Sequence, residues 1–308
     1  MHSLPPLIVD LAIISLYAGL TTLLFKKLKQ PLVLGYVIAG ILAGPALGIF
    51  PSVTDSTNIK LWADIGVIFL LFGLGLEFSF KKMMNVGKAG LITATFNIIF
   101  LMFLGYLTGI GLGWSQTDSL FLGGMISMSS TTIIIKAFDD LQLKKKRFTE
   151  LVFGVLVVED VVGILLLVLL PMITLSDSID AWQLIGNTFK LSFFLVVWFV
   201  FGIYLIPTFI KKVAHLMNDE MLLIMSIGLC LAMVLMATSA GFSEALGAFI
   251  MGSILAETSL EEKIQEVIKP VKDFFGAIFF VSVGMLVNPS MFVEYFYPIF
   301  VITLLVVF

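Results

Sequence analysis

The chain has 308 residues, of which 59% are hydrophobic and only 13% charged, and its formal net charge is −3. Soluble domains carry about 25% charged residues, so the composition excludes a soluble globular domain, and there is no basic domain for binding nucleic acid. We therefore expect an all-α polytopic membrane protein. The single cysteine, Cys230, excludes an internal disulfide framework. No Lys or Arg precedes the first apolar run, so a cleavable signal peptide is not expected.

Eleven apolar stretches are predicted as membrane spans, since a crossing helix needs about 20 apolar residues. In chain order they cover residues 6–25, 31–49, 60–78, 89–111, 118–138, 149–174, 184–210, 219–239, 241–257, 271–288 and 292–308. Fifteen of the 18 basic residues fall in every second connection or within two residues of it, beginning with the connection after the first span. Because cytoplasmic loops carry an excess of Lys and Arg, these connections are predicted to be cytoplasmic and the N-terminus to lie outside.

Glycines and acids in the first three spans each have two interpretations. The second span is rich in glycine, which lets helices approach closely in lipid, and a direct substrate role is the alternative; the residues are Gly35, Gly40, Gly44 and Gly48. Asp10, Asp64 and Glu77 are expected near the membrane surfaces, where interfacial solvation accounts for a carboxylate. Asp64 is kept as a candidate for the ion pathway.

The fifth span contains four consecutive hydroxyl residues at membrane depth, Ser129, Ser130, Thr131 and Thr132. Ser and Thr compete with the backbone for hydrogen bonds, so the helix is predicted to break here. Unwound backbone in a bilayer must be buried in protein or line a cavity, and the ends of broken helices bind ions in transporters. The alternative is a continuous helix whose hydroxyls bond to the preceding turn.

Two adjacent acids, Glu159 and Asp160, lie within the apolar run 153–170. A carboxylate at the centre of a spanning helix costs about 2.5–3.5 kcal/mol, and such residues usually mark ion or proton pathways. We expect Asp160 to bind the cation and the proton in turn. Successive helix positions point about 100° apart, so only one acid must face the cavity. Glu159 is either a second ligand or a structural partner of the backbone or of a lysine.

Two weaker pathway candidates lie later in the chain. Glu244 is at the outer start of the ninth span, where an interfacial acid is the equal alternative, and Ser282 is in the tenth span. The run 261–272 is interpreted as an amphipathic linker lying at the membrane surface. His2 and His215 lie outside the spans and form no metal pair, so no metal beyond the transported monovalent cation, and no cofactor, is expected.

Several motifs in order resemble the second monovalent cation:proton antiporter family, particularly glutathione-gated potassium-efflux antiporters and their sodium/proton relatives. They are GYVIAGILAGP, DIGVIFLLFGLGLEF, SMSSTTIIIKAF, VLVVEDVVGI, SEALGAFIMGSILAE and IFFVSVGM. The resemblance implies an inverted-repeat fold with two crossing, interrupted helices, a homodimer, and elevator-like movement of a core domain. It places the first repeat at about 6–174, a linking helix at about 184–210 and a partial second repeat at about 219–308. Asp160 matches the family's ion-carrying aspartate, and Ser129–Thr132 match the first interrupted helix.

The sequence departs from the family pattern in two ways. Glu159 stands where the potassium-efflux group commonly has Gln, which leaves the choice between Na⁺ and K⁺ open. The chain also ends in the eleventh span, so we expect a truncated transporter with an incomplete second repeat. Relatives often continue into a cytoplasmic nucleotide-binding regulatory domain, which would lie beyond residue 308.

Together these features predict secondary active exchange of K⁺ or Na⁺ for protons in the inner (plasma) membrane, and no enzyme activity. An intramembrane aspartyl protease would need two aspartates on different helices, whereas these acids adjoin. A non-transporting membrane sensor or assembly subunit, or a cation channel, is the alternative.

Overall fold

The computed structural model describes residues 5–45, 51–53, 56–78, 87–131, 146–174 and 204–307, with isolated positions at 134, 138, 193, 196–198, 200 and 202. The helices in this part of the chain are α1 (Pro6–Lys27), α2 (Leu32–Ala43), α3 (Ser56–Glu77), α4 (Gly87–Gly111), α5 (Gln116–Ile126), α6 (Arg147–Thr174), α7 (Asp219–Ser239), α8 (Glu244–Leu255), α9 (Glu261–Met285), α10 (Met291–Glu294) and α11 (Phe296–Val307). Residues 204–213 are also helical, and a 3-10 turn follows at Ala214–Leu216. No strand occurs among the described residues, which agrees with the all-α expectation. Most of the expected linking helix lies outside them.

Four of the described helical segments are long and apolar enough to cross a membrane: Pro6–Lys27, Ile59–Glu77, Gly87–Gly111 and Asp219–Ser239. Three shorter apolar helices, α2, α8 and α11, lie within other predicted spans. These helices therefore correspond to predicted spans. Two helices differ from their predicted spans: α5 ends early, at Ile126, and α9 begins early, at Glu261.

The linker predicted at residues 261–272 is wrong as a separate element. Helix α9 begins at Glu261 and continues through Pro270 into the apolar span without interruption. Ile264 and Ile268 are buried, and the Gln265 side-chain amide donates to the Leu76 carbonyl at 2.8 Å. This half of α9 is helical, amphipathic and partly solvated, as predicted, but it is continuous with the apolar span and its buried face is held by α3.

The chain divides into two compact units, and the first comprises Met1–Glu77 and Trp198–Ile299. Within it α3 packs against α8 and α9, while α2 packs against α1 and α9. Glycines allow the helix backbones to touch: a Cβ on Gly40 would lie 2.7 Å from the Gly284 Cα, and one on Gly252 would lie 2.9 Å from the Gly75 Cα. Close helix packing is thus confirmed for Gly40 in the second span.

Asp10 is not solvated as expected, because it is completely buried in the first unit. Its position on α1 precedes Ile14 and Ala18, which belong to a core cluster with residues of α2 and α9. The sequence showed that Asp10 is near the end of a span, but it did not show that neighbouring helices cover that end.

The second unit comprises Phe78–Val197 and Phe300–Phe308 and includes α4, α5 and α6. Helices α4 and α5 touch through small residues, since a Cβ on Gly105 would lie 2.6 Å from the Gly123 Cα. Helices α4 and α6 pack through a cluster of Ala94, Ile98 and Val158, against which Met128, Val155 and Val162 are placed. This packing brings the segment that follows α5 against the middle of α6.

Candidate ion-binding site

The polypeptide is not helical immediately after α5, as the hydroxyl-rich sequence predicted. Helix α5 ends at Ile126, residues 128–130 have no regular structure, and helical geometry returns at Thr131. Ser127 is the C-cap, and its hydroxyl donates to the Gly124 carbonyl at 2.8 Å. The side chain thus satisfies a carbonyl at the helix end, where backbone partners are missing. We call residues 127–131 the interrupted segment.

Apolar contacts hold one side of the interrupted segment against α6. Met128 packs on the α4–α6 cluster, and a Cβ on Gly163 would lie 2.9 Å from the Met128 Sδ. Gly163 follows Glu159 by four positions and therefore lies on the same face of α6. The absence of a side chain at Gly163 makes room for Met128 beside the acidic pair.

Glu159 connects three elements of the second unit. Its side chain is 1% exposed, and its two carboxylate oxygens accept from different donors. The Asn97 Nδ2 on α4 donates to Oε1 at 2.8 Å, and the Ser129 backbone N–H donates to Oε2 at 3.2 Å. A buried carboxylate requires such hydrogen bonds to offset its loss of hydration. Glu159 therefore contacts the backbone of the interrupted segment, which is the contact required by one of the two roles considered for it.

Asp160 lies on a different face of α6. Its side chain is exposed in the chain, in contrast to the buried Glu159. The difference follows from the helical rotation of about 100° between consecutive residues. The two adjacent acids thus have different surroundings: one is enclosed and hydrogen-bonded to α4 and the interrupted segment, and the other faces outward from the packed interior of its unit.

The hydroxyl residues predicted as ligands lie at the end of the interrupted segment. Ser130 is exposed, and its carbonyl accepts from the Ile134 N–H at 3.1 Å. The Thr131 Oγ1 is buried and has no hydrogen-bond partner among the described residues. A buried polar atom without a partner costs about 1–3 kcal/mol, so this hydroxyl is suited to a bound ligand or water. Thr132 lies outside the described residues.

The three predicted pathway residues belong to the first unit. Asp64 on α3 and Glu244 on α8 are exposed, and Ser282 on α9 is half-buried. Glu244 is in the first turn of α8, after the N-cap Ser243, whose hydroxyl accepts from the Leu246 N–H at 3.3 Å. A carboxylate is favoured there by the helix dipole. No hydrogen bond joins any two of these three residues in the described part of the chain.

Asn97, which lies beside Glu159, was not predicted as a site residue. A signal was present, because Asn97 is a lone amide in the middle of the apolar stretch LITATFNIIFLMF of α4. Polar side chains at membrane depth usually hydrogen-bond across helices. The partner could not be read from the pattern, because Glu159 is 62 positions away.

The described arrangement defines a class of protein, a helical membrane protein with an interrupted helix beside a pair of acids. The fold is similar to the solved structure of the sodium proton antiporter MjNhaP1 from Methanocaldococcus jannaschii, with a TM-score of 0.68 at 19% sequence identity. The similarity covers 97% of this chain and 75% of that one. It confirms the expected antiporter fold.

Residues 12–308 match the sequence profile of the transmembrane sodium/hydrogen exchanger family. The chain therefore belongs to this family and is a multi-pass membrane protein, which confirms the predicted family resemblance.

Individual relatives agree with the family assignment. The chain is 31% identical over 288 residues to K(+) efflux antiporter 5 of Arabidopsis thaliana, covering 92% of this chain and 50% of the relative. It is 32% identical over 305 residues to the putative cation/proton antiporter YbaL of Escherichia coli, covering 96% and 54%. The K(+)/H(+) antiporter subunit KhtU of Bacillus subtilis is 28% identical over 276 residues, with 88% and 68% covered. The chain thus spans about half the length of the first two relatives.

Proposed function

We propose that the protein exchanges a monovalent cation, K⁺ or Na⁺, for protons across the inner (plasma) membrane, with both ions competing for Asp160. The observation that carries this proposal is the arrangement of the two acids beside the interrupted segment. The relatives' names, which include potassium-efflux, cation/proton and K⁺/H⁺ antiporters, support the same reaction.

Asp160 is the more suitable of the two acids for exchanging ions. Each oxygen of Glu159 already accepts a hydrogen bond within the packed interior, so a cation there would have to displace or share these donors. The Asp160 side chain is exposed, and an ion can reach it without opening the contacts between α4 and α6. Glu159 then acts mainly as the group that fixes the interrupted segment, and its charge makes the surroundings favourable for a cation.

The interrupted segment offers the remaining oxygen ligands. In transporters with broken helices, half-helix ends and unwound carbonyls coordinate Na⁺ or protons. Here the Thr131 hydroxyl, buried without a partner among the described residues, is the best candidate to complete the shell. Ser130, Thr132 and water would supply further oxygens. Asp64, Glu244 and Ser282 are proposed as weaker contributors to the path by which ions enter and leave.

Competition for one carboxylate gives exchange by alternating access. Exposing an ionised carboxylate to the bilayer core is costly, so reorientation is permitted when Asp160 holds either a proton or a cation. The empty, charged site does not reorient, and this prevents leak. We further infer that the protein works as a homodimer. A cytoplasmic nucleotide-binding regulatory domain, which the family resemblance implies, is a proposed partner of the transport domain.

Exchange measured in everted membrane vesicles tests this function. With a pH-sensitive dye, addition of K⁺ or Na⁺ should dissipate a preformed proton gradient in vesicles containing the wild-type protein. Asp160→Asn should abolish this response while leaving membrane insertion intact, because the amide binds neither a proton nor a cation in the same way. Glu220→Gln, a change of an exposed acid in the first turn of α7, is the matched control and should exchange normally.

Three results would contradict the proposal. Normal exchange by Asp160→Asn would show that another group carries the ions. Cation flux without proton movement would indicate a channel, and a correctly inserted wild-type protein that moves neither ion would indicate a sensor or an assembly subunit.

A further inference from the structure

Asn97 is a lone amide placed within an apolar contact between two helices. On α4 it lies between Ala94 and Ile98, both buried against Val158 of α6. Apolar packing alone would be served better by an aliphatic side chain, since burying an unpaired amide is unfavourable. The amide is instead paired, at 2.8 Å, with the buried oxygen Oε1 of Glu159.

The hydrogen bonds of Glu159 form a continuous connection from α4 to the interrupted segment. Asn97 donates to Oε1, and Oε2 accepts from the Ser129 backbone N–H at 3.2 Å. A glutamate side chain has several rotamers, and fixing one of its oxygens restricts where the other can lie. The position of Oε2, and with it the position of Ser129, therefore depends on Asn97.

We propose that Asn97 is a positioning residue for the ion site, acting through Glu159 to hold the backbone of the interrupted segment. Ser129 immediately precedes Ser130 and Thr131, so a displacement of its N–H moves the oxygens that would complete the cation shell. This inference rests on the proposed function, because the affected property is cation binding. Groups that orient metal ligands from one step away typically change affinity by about 10–100-fold when they are removed.

The experiment compares Asn97→Ala with a charge-swapped double variant. In Asn97→Ala the Oε1 anchor is lost, and we expect the apparent KM for the cation in vesicles to rise about tenfold, with a smaller change in maximal rate per inserted protein. In Asn97→Asp two acids oppose each other and exchange should fall. The double variant Asn97→Asp/Glu159→Gln restores a donor opposite an acceptor, with isosteric side chains, and should recover most of the cation affinity of the wild type.

A second measurement reports the position of the interrupted segment without requiring transport. Ser130→Cys in a Cys230→Ser background provides one exposed thiol, whose rate of labelling by a small maleimide is measured. Asn97→Ala should change this rate. The double variant Asn97→Asp/Glu159→Gln should return it towards the rate measured when Asn97 and Glu159 are unchanged. Thr95→Ala is the control on the same helix, because Thr95 is exposed and close in sequence.

These two readouts separate the inference from the proposed function. If the wild type exchanges ions but Asn97→Ala leaves both KM and labelling unchanged, the positioning role is rejected. It is also rejected if the charge-swapped variant is no better than Asn97→Asp in either measurement. If the wild type does not exchange ions, the proposed function fails, and the labelling series alone decides whether Asn97 holds the segment.

Discussion

Glu159 provides a sharp test of whether hydrogen bonding or charge holds the interrupted segment. Truncation to alanine leaves two donors, the Asn97 amide and the Ser129 N–H, without their acceptor in a partly buried site. A buried unsatisfied donor costs about 1–3 kcal/mol. Because these two donors are half-buried, the lower figure applies to each, and Glu159→Ala should destabilise the protein by about 2 kcal/mol, not counting the lost packing.

The isosteric change Glu159→Gln should behave differently. The Gln carbonyl oxygen can accept from the Ser129 N–H, while its amide group faces Asn97. The Asn97 side chain can rotate by 180° to present its carbonyl oxygen as the acceptor, since an amide carries both donor and acceptor groups. Both hydrogen bonds are then kept in neutral form. Because charge-assisted hydrogen bonds are about twice as strong as neutral ones, we expect a loss of about 1 kcal/mol.

Thermal melting of the purified protein in detergent measures both variants. The expected order of melting temperatures is wild type, then Glu159→Gln slightly lower, then Glu159→Ala much lower. Asn97→Ala/Glu159→Ala should be less destabilised than the sum of the two single changes, because one unsatisfied donor is removed together with its acceptor. If Glu159→Gln melts as low as Glu159→Ala, the negative charge rather than the pattern of donors and acceptors stabilises this site, and the reasoning is refuted.

Two further predictions concern helix packing and orientation. Gly40→Ala should reduce the free energy of unfolding by about 1–3 kcal/mol and lower the melting temperature, because the new Cβ would lie 2.7 Å from the Cα of Gly284. The control Gly19→Ala should not lower it, because a Cβ at Gly19 meets nothing within 4 Å. Equal melting temperatures for the two variants would contradict this packing. In a Cys230→Ser background, a thiol reagent that does not cross the membrane should label Gln116→Cys in intact cells and Lys212→Cys only after permeabilisation. The reason is that basic residues mark the cytoplasmic side. The reverse labelling pattern would overturn the orientation.

The interrupted segment could be predicted from sequence because its cause is local. The Ser127 hydroxyl donates to a carbonyl three residues earlier. The hydroxyl residues that follow indicate in the sequence that side chains compete with the backbone for hydrogen bonds here. The distinction between Glu159 and Asp160 was predicted only in part: the helical period requires different directions, but it does not say which acid is enclosed. That choice depends on α4, whose contact with α6 is a property of the tertiary structure.

The features that were missed depend on distant neighbours. The continuity of α9 was hidden by Pro270 and by the charged residues around it, which are typical of a helix boundary, while its anchor at Leu76 is 189 positions away. The burial of Asp10 likewise depends on which helices cover the end of α1. Such pairings carry no periodic signal in one sequence.

The glycine contacts of the first unit limit how its helices can move. Gly75 of α3 faces Gly252 of α8, with the Cα of each close to where a Cβ on the other would lie. A slide of α3 along α8 by about one helical turn would bring Leu71 or Phe72, which lie on the same face of α3, against backbone that has no space for a side chain. Backbone contact at these two glycines thus holds α3 and α8 in one register. Large displacements during a functional cycle must therefore leave this pair intact and carry its members together.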